Sequence, residues 1–288
     1  MNQIKLFINL TRLKKPIGYM LLFWPCAWGL TLAYDFSLDL RIYFFYLILF
    51  FLGSVLMRSA GCIVNDILDR KFDSKVYRTK NRPIASGKIS VQLAVFYSLT
   101  LCFLAFLVLL NFNLFTIILA LGSMPLAFTY PLMKRFTYWP QLFLGVTFNY
   151  GLILGWTAIH GQINIVPILF YTGAIFWTLG YDTIYGYQDI KDDEIIGLKS
   201  TSIKFKGNTK NFLFTCYTFL IALFLVGGYY MEFHYSYFIL MVIPFVHLFF
   251  YQMKIFNPEN PSSCLKVFKS NNYFGILILI NILIVKNL

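Results

Sequence analysis

Eight of the twelve Asp and Glu residues fall into two short segments, Asp66, Asp69 and Asp73 in one and Asp182, Asp189, Asp192, Asp193 and Glu194 in the other. Asn65, Asp69 and Asp73 are spaced i, i+4, i+8, and Arg58 stands seven residues before Asn65, so on a helix all four share one face. Side-chain oxygens one turn apart can hold a hard divalent cation. Mg2+ in particular is held by one or two carboxylates, with phosphate oxygens and water completing its octahedron. Asp66 lies about 100° round the helix from that face and ranks below the others as a direct ligand. Asp182, Asp189 and Asp193 repeat the logic at i, i+7, i+11, one face if the helix continues, with Tyr185 beside Asp182. A solvated helix end is the bland alternative, but it suits scattered charges. An Asp at the centre of an inserted helix costs roughly 3 kcal/mol, less near its end, so acids clustered beside apolar runs need a reason.

The segments that follow are basic. Arg70, Lys71, Lys75, Arg78, Lys80, Arg82 and Lys88 come after the first cluster, and Lys191, Lys199 and Lys204 accompany the second. Acids that hold ions, ringed by bases that hold phosphate oxygens, describe a site for a metal-complexed polyphosphate. A soluble phosphoryl-transfer enzyme would carry a Gly-rich phosphate loop, and none is present.

The elements that must position these residues are membrane helices. The 288 residues are 59% hydrophobic and only 12% charged, against roughly 25% charged in soluble domains, with a mean hydropathy of +0.68. Runs of about 20 apolar residues predict all-α, polytopic architecture with about nine transmembrane helices, near 16–34, 42–69, 91–110, 112–130, 141–160, 165–188, 212–231, 237–253 and 273–285. They would form one domain over 1–288 around a central cavity opening to the cytoplasmic side. The two acid clusters end the second and sixth helices, and an even number of crossings returns both to the same face. With the N-terminus inside, every Lys and Arg except Arg41, Lys286 and the intrahelical Arg58 lies on that inner face, where basic residues accumulate. The net charge of +12 is therefore mostly an orientation signal; 20% aromatics spread through apolar runs do not describe a nucleic-acid binder. The five cysteines form no C-x-x-C pair and the three histidines are isolated, which disfavours a disulfide framework, a zinc site and a Ser-His triad. The apolar walls offer a groove for a lipid tail whose diphosphate head would sit at the acids.

Gly61 to Ser90 (GCIVNDILDRKFDSKVYRTKNRPIASGKIS) resembles the N-D-x-x-D-x-x-x-D and R-T-x-x-R-P-x-x-S-G motifs of the UbiA superfamily of intramembrane aromatic prenyltransferases. Tyr181 to Phe205 (YDTIYGYQDIKDDEIIGLKSTSIKF) is similar to its second motif. Lys15 to Pro25 and Tyr130 to Leu144 favour the 4-hydroxybenzoate polyprenyltransferase branch of ubiquinone synthesis. The resemblance implies that Asn65, Asp66, Asp69, Asp73, Asp189 and Asp193 bind Mg2+ with the diphosphate, and that Arg58, Arg78, Arg82 and Lys191 contact the diphosphate. Arg12 and Arg135 become candidates for the acceptor's carboxylate, with Tyr185 beside them and Asp182 as a polar partner for its phenol. Tyr130, Tyr181 and Tyr185 could face an allylic cation.

The implied reaction is transfer of a polyprenyl group from polyprenyl diphosphate to the 3-position of 4-hydroxybenzoate, in a bacterial inner membrane or its mitochondrial equivalent. A sibling activity on homogentisate or dihydroxynaphthoate is the alternative within the class. An ion-coupled transporter is the alternative outside it, but its acids would lie near the midplane rather than at helix ends inside basic loops.

Overall fold

The computed structural model describes residues 3–288, and among them every regular element is helical. The order is α1 (Gln3–Thr11), α2 (Ile17–Ala33), α3 (Leu40–Asp73), α4 (Val91–Leu109), α5 (Leu114–Thr129), a 3-10 turn (Tyr130–Arg135), α6 (Pro140–Phe148), α7 (Tyr150–His160), α8 (Ile165–Gly186), α9 (Ile190–Ile196), α10 (Thr201–Lys204), α11 (Thr209–Tyr230), α12 (Ser236–Leu240), α13 (Val242–Val246), a π-helical turn (His247–Gln252), α14 (Met253–Ile255) and α15 (Pro261–Lys286). Among the described residues eight helical segments are long and apolar enough to cross a membrane. The remaining span expected from sequence, Ile17–Ala33, is apolar but only 17 residues long.

Polar caps punctuate the apolar runs. Asp39, Ser90, Asn113, Asn164 and Asn260 each accept a backbone N–H of the helix that follows, at 2.9–3.3 Å, satisfying donors that a helix start leaves open. The Asn260 cap starts α15 twelve residues before the expected 273, because Ser270 and Asn271 are buried inside the helix rather than in a loop.

Helix α2 packs closely on α7 because both carry glycine at the crossing. A Cβ on Gly29 would strike the Leu152 backbone, and one on Gly155 would strike the backbone of α2, the small-residue approach common between membrane helices. The bundle centre is a buried aromatic cluster in which Trp28 lies 5.1 Å from Trp177 and 5.8 Å from Phe224, centroid to centroid. A second, smaller core of Leu6, Leu10, Ala60, Ile63, Ile84 and Ile89 fastens α1 and the 84–89 segment to α3.

Contacts sort the connections to two ends as the parity argument requires. At one end Lys286 Nζ donates to Leu32 O at 3.3 Å and Asn113 Nδ2 donates to Thr157 O at 2.8 Å. At the other, residues from α3, the 74–90 loop, the 3-10 turn and the α8–α10 connection converge on the acids.

Candidate active site

Asp66, Asp69 and Asp73 are buried, with 2%, 1% and 7% of their surface exposed, and their i, i+3, i+7 spacing makes them the inner stripe of α3. Asp66, ranked lowest from spacing, is thus a full member, whereas Asn65 is half-buried and makes no side-chain hydrogen bond. The helix turns its 66–69–73 face inward because the smaller core occupies the neighbouring face through Ala60 and Ile63.

Each carboxylate meets a cation. Arg12 Nη2 donates to Asp66 Oδ1 at 2.6 Å. Arg82 Nη1 donates to the same oxygen at 3.1 Å and to Asp73 Oδ2 at 2.8 Å. Lys134 Nζ donates to Asp69 Oδ2 at 2.5 Å. Arg135 reaches 3.5 Å from Asp69 Oδ1 without a hydrogen bond, donates instead to Leu68 O at 2.9 Å, and lays its guanidinium over the Phe72 ring at 5.2 Å. Arg12 adopts φ 58°, a left-handed conformation that a non-glycine residue holds only when its surroundings enforce it. Here α1 and Asp66 supply the two anchors.

The second motif departs from the continuous helix its spacing implies. Helix α8 stops at Gly186, where a Cβ would collide with Ser202 Oγ as α10 folds back, and α9 begins after Asp189 and ends at Gly197, φ +80°. Asp182, in the last turns of α8, therefore does not share a helix with Asp189 and Asp193. Asp189 is nevertheless joined to the first motif's loop, since Arg78 Nε donates to its Oδ1 at 2.6 Å and Arg78 Nη2 to its Oδ2. Burial beside Asp189 pushes Asp193 up to about 6. The Lys191 side chain is exposed and, among the described residues, makes no hydrogen bond or ion pair. Tyr185 lies 4.4 Å from Phe268, under the Arg78 guanidinium at 5.9 Å. Lys199 N donates to Lys134 O at 2.8 Å, tying the second motif to the 3-10 turn.

Deeper in the bundle Arg58 has no carboxylate partner among the described residues; its guanidinium lies over Phe148 at 5.1 Å and against Gly18. Among the described residues the Asp182 side chain makes no hydrogen bond or ion pair.

Among the described residues no three carboxylates converge on one point as they stand. The donors nevertheless fit a hard divalent ion, because two carboxylates with phosphate oxygens and water suffice and the buried Asp69 Oδ1 has no hydrogen-bond partner. Lys134 is the residue that sequence reasoning missed. It sits in the Tyr130–Arg135 segment, where a lysine reads as an ordinary inner-face anchor.

Residues 22–278 match the UbiA prenyltransferase family. The chain is 41% identical over 283 residues to a mitochondrial 4-hydroxybenzoate polyprenyltransferase of Drosophila melanogaster, covering 97% of this chain and 71% of that one. Its fold is similar to a UbiA homolog from Aeropyrum pernix K1, with a TM-score of 0.77 at 22% identity over 93% of this chain and 98% of that one. It is also similar to one from Archaeoglobus fulgidus bound to GPP and Mg2+, with a TM-score of 0.69 at 17% identity over 98% and 100%.

Proposed function

The chain belongs to the UbiA prenyltransferase family, and from that premise we propose that it transfers a polyprenyl group from polyprenyl diphosphate to the 3-position of 4-hydroxybenzoate, releasing diphosphate. The observation that carries this reading is the junction of the two acid motifs. Arg78 and Asp189, 111 residues apart, form a bidentate pair, which joins the second motif to the loop that follows the first.

Asn65, Asp66, Asp69, Asp73, Asp189 and Asp193 would hold the divalent ion, Mg2+ in this reading. When bound, that ion supplies positive charge to the diphosphate oxygens. The chain's own cations share the task. Arg78, Arg82 and Lys191 lie at the loops where the diphosphate would sit, and they stabilise the charge that grows on it as the allylic C–O bond breaks. Arg12 and Lys134, held on Asp66 and Asp69, would be released to meet phosphate if those carboxylates held a divalent ion. The rings of Tyr130, Tyr181 and Tyr185 would face the cationic allyl group, and an apolar wall would keep water from it. The phenol ring would attack through the carbon ortho to its hydroxyl, and the displaced ring proton would leave to a base, a role we assign to Asp182. Arg58, Arg12 and Arg135 are the guanidiniums available to the acceptor's carboxylate or the diphosphate, and Arg58 is the one that no carboxylate of the protein occupies.

The prenyl tail would run among helices open to lipid, with the N-terminus and both motifs on the cytoplasmic or matrix side of an inner membrane. The test is purified protein in lipid nanodiscs with Mg2+, a polyprenyl diphosphate and a panel of phenolic acids, read by mass spectrometry. Prenylated 4-hydroxybenzoate is expected; preferential prenylation of homogentisate or dihydroxynaphthoate would refute the acceptor assignment.

A further inference from the structure

Besides the ion pairs, the bundle contains a directed chain of neutral hydrogen bonds. It starts at Asn149, which breaks the predicted 141–160 helix into α6 and α7 and is wholly buried. Its Nδ2 donates to Gly145 O at 2.8 Å and to Thr178 Oγ1 at 2.7 Å, while its Oδ1 receives nothing. The Gly145 carbonyl fixes the amide, since turning it over would set oxygen against oxygen. Thr178, also buried, therefore accepts from Asn149, and its own proton goes to the Tyr181 hydroxyl oxygen at 3.2 Å. Every link now has a direction, and the Tyr181 O–H is left as a donor that no group among the described residues accepts. Leaving a buried donor unused is unfavourable, so an open donor at a residue 2% exposed marks a place where something else completes the bond.

The surroundings specify what completes it. Tyr181 is edge-on to Trp177 at 5.1 Å and to Phe268 at 5.8 Å, and Asp182 follows it in sequence. Phe148, next to Asn149, lies under the Arg58 guanidinium and edge-on to Tyr130 at 6.3 Å. A neutral donor among ring faces suits a flat, hydroxylated ring; the diphosphate is matched by the guanidinium and ammonium groups gathered at the loops.

We propose that Asn149 and Thr178 are positioning residues that hold Tyr181 as a one-way hydrogen-bond donor to the hydroxyl oxygen of the phenolic acceptor, turning the ortho carbon toward the allylic carbon. This rests on the prenyl-transfer reading above. Asn149 and Thr178 touch no substrate in it; they act only through the Tyr181 hydroxyl.

The experiment is a double-mutant cycle on purified protein in nanodiscs, varying the acceptor at saturating prenyl diphosphate. Tyr181→Phe and Thr178→Val keep shape and should each lower kcat/KM for the acceptor about tenfold, with the KM of the prenyl diphosphate unchanged. The double variant should be no worse than Tyr181→Phe alone, and Thr178→Ser should recover the wild-type value. Thermal midpoints measured alongside separate loss of fold from loss of positioning. Wild-type acceptor kinetics in Tyr181→Phe, multiplicative losses in the double variant, or a defect confined to the prenyl diphosphate KM would each overturn the proposal. Running wild type against 4-hydroxybenzoate, homogentisate and dihydroxynaphthoate keeps the two readings distinguishable. Prenylation of only one of the others corrects the acceptor while the cycle proceeds on that phenol. Prenylation of none overturns the functional reading and this inference with it.

Discussion

Lys134→Met isolates the charge balance of the buried site. Asp69 is 1% exposed, its Oδ2 is held by Lys134 Nζ at 2.5 Å, and its Oδ1 has only Arg135 at 3.5 Å, without a hydrogen bond. Removing one partner of a buried ion pair costs about 3–5 kcal/mol, because the other charge is stranded. Lys134 is 28% exposed and Arg135 stays nearby, which places the expected loss at the lower end, about 3 kcal/mol, or a midpoint decrease on the order of 6 °C for a chain of this size. Thermal unfolding in one detergent, with a chelator present, measures it. Asp69→Asn/Lys134→Met, which removes both charges, should recover most of the loss yet remain inactive, since the amide offers no negative charge to the divalent ion. Mg2+ with inorganic diphosphate should raise the midpoint of the single variant and not that of the double. A single variant as stable as wild type, or a double variant no more stable than the single, would refute the claim that Lys134 serves as the counter-charge of Asp69.

Asp69→Asn and Asp193→Asn should each abolish Mg2+-dependent turnover while leaving the protein in the membrane, whereas Arg70→Ala, on the exposed side of α3, should retain most activity; prenyl transfer and membrane abundance are measured together. Because burial raises Asp193 to about 6, from 3.8, the folded metal-free protein holds that proton more tightly than the unfolded chain does. The Asp193 contribution to stability should therefore be present below about pH 4 and lost as pH rises toward 6; a wild-type stability profile that Asp193→Asn leaves unchanged over this window would contradict it. Single cysteines at positions 75 and 164 should respectively resist and accept an impermeant thiol reagent in intact cells, and the reverse pattern would invert the topology.

The spans and both acid clusters were legible because their signals are local: apolar length on one side, charge spacing on the other. What was not legible depended on distant partners. The 186–189 break needs Ser202 to lie against Gly186, a contact across the α10 fold-back, and nothing in the 182, 189, 193 spacing reveals it. Asp66 joined the inner stripe because a small apolar core claimed the adjacent face of α3. Arg12 and Arg135 read as forks for an acceptor carboxylate, and that they also lie beside Asp66 and Asp69 is a contact no local spacing reveals. Asn149 sits mid-span in a run whose hydropathy hides it, and only its bonds to Gly145 and Thr178 give it away.

Helix α3 has 34 residues, which at 1.5 Å per residue is about 51 Å, whereas the hydrocarbon layer is about 30 Å thick. If its outer end lies at the boundary, roughly the last 20 Å, from near Ala60 onward, stands beyond the acyl chains at the depth of lipid phosphates. The aspartates thus avoid the full insertion cost of a charge at mid-membrane, and a prenyl diphosphate already resident in that leaflet has its phosphates at their height. Such a donor could slide in sideways with its tail still among acyl chains, needing neither extraction into water nor passage across the membrane, while a water-soluble acid arrives from the aqueous side. Two substrates of opposite solubility would then meet without either leaving its own phase.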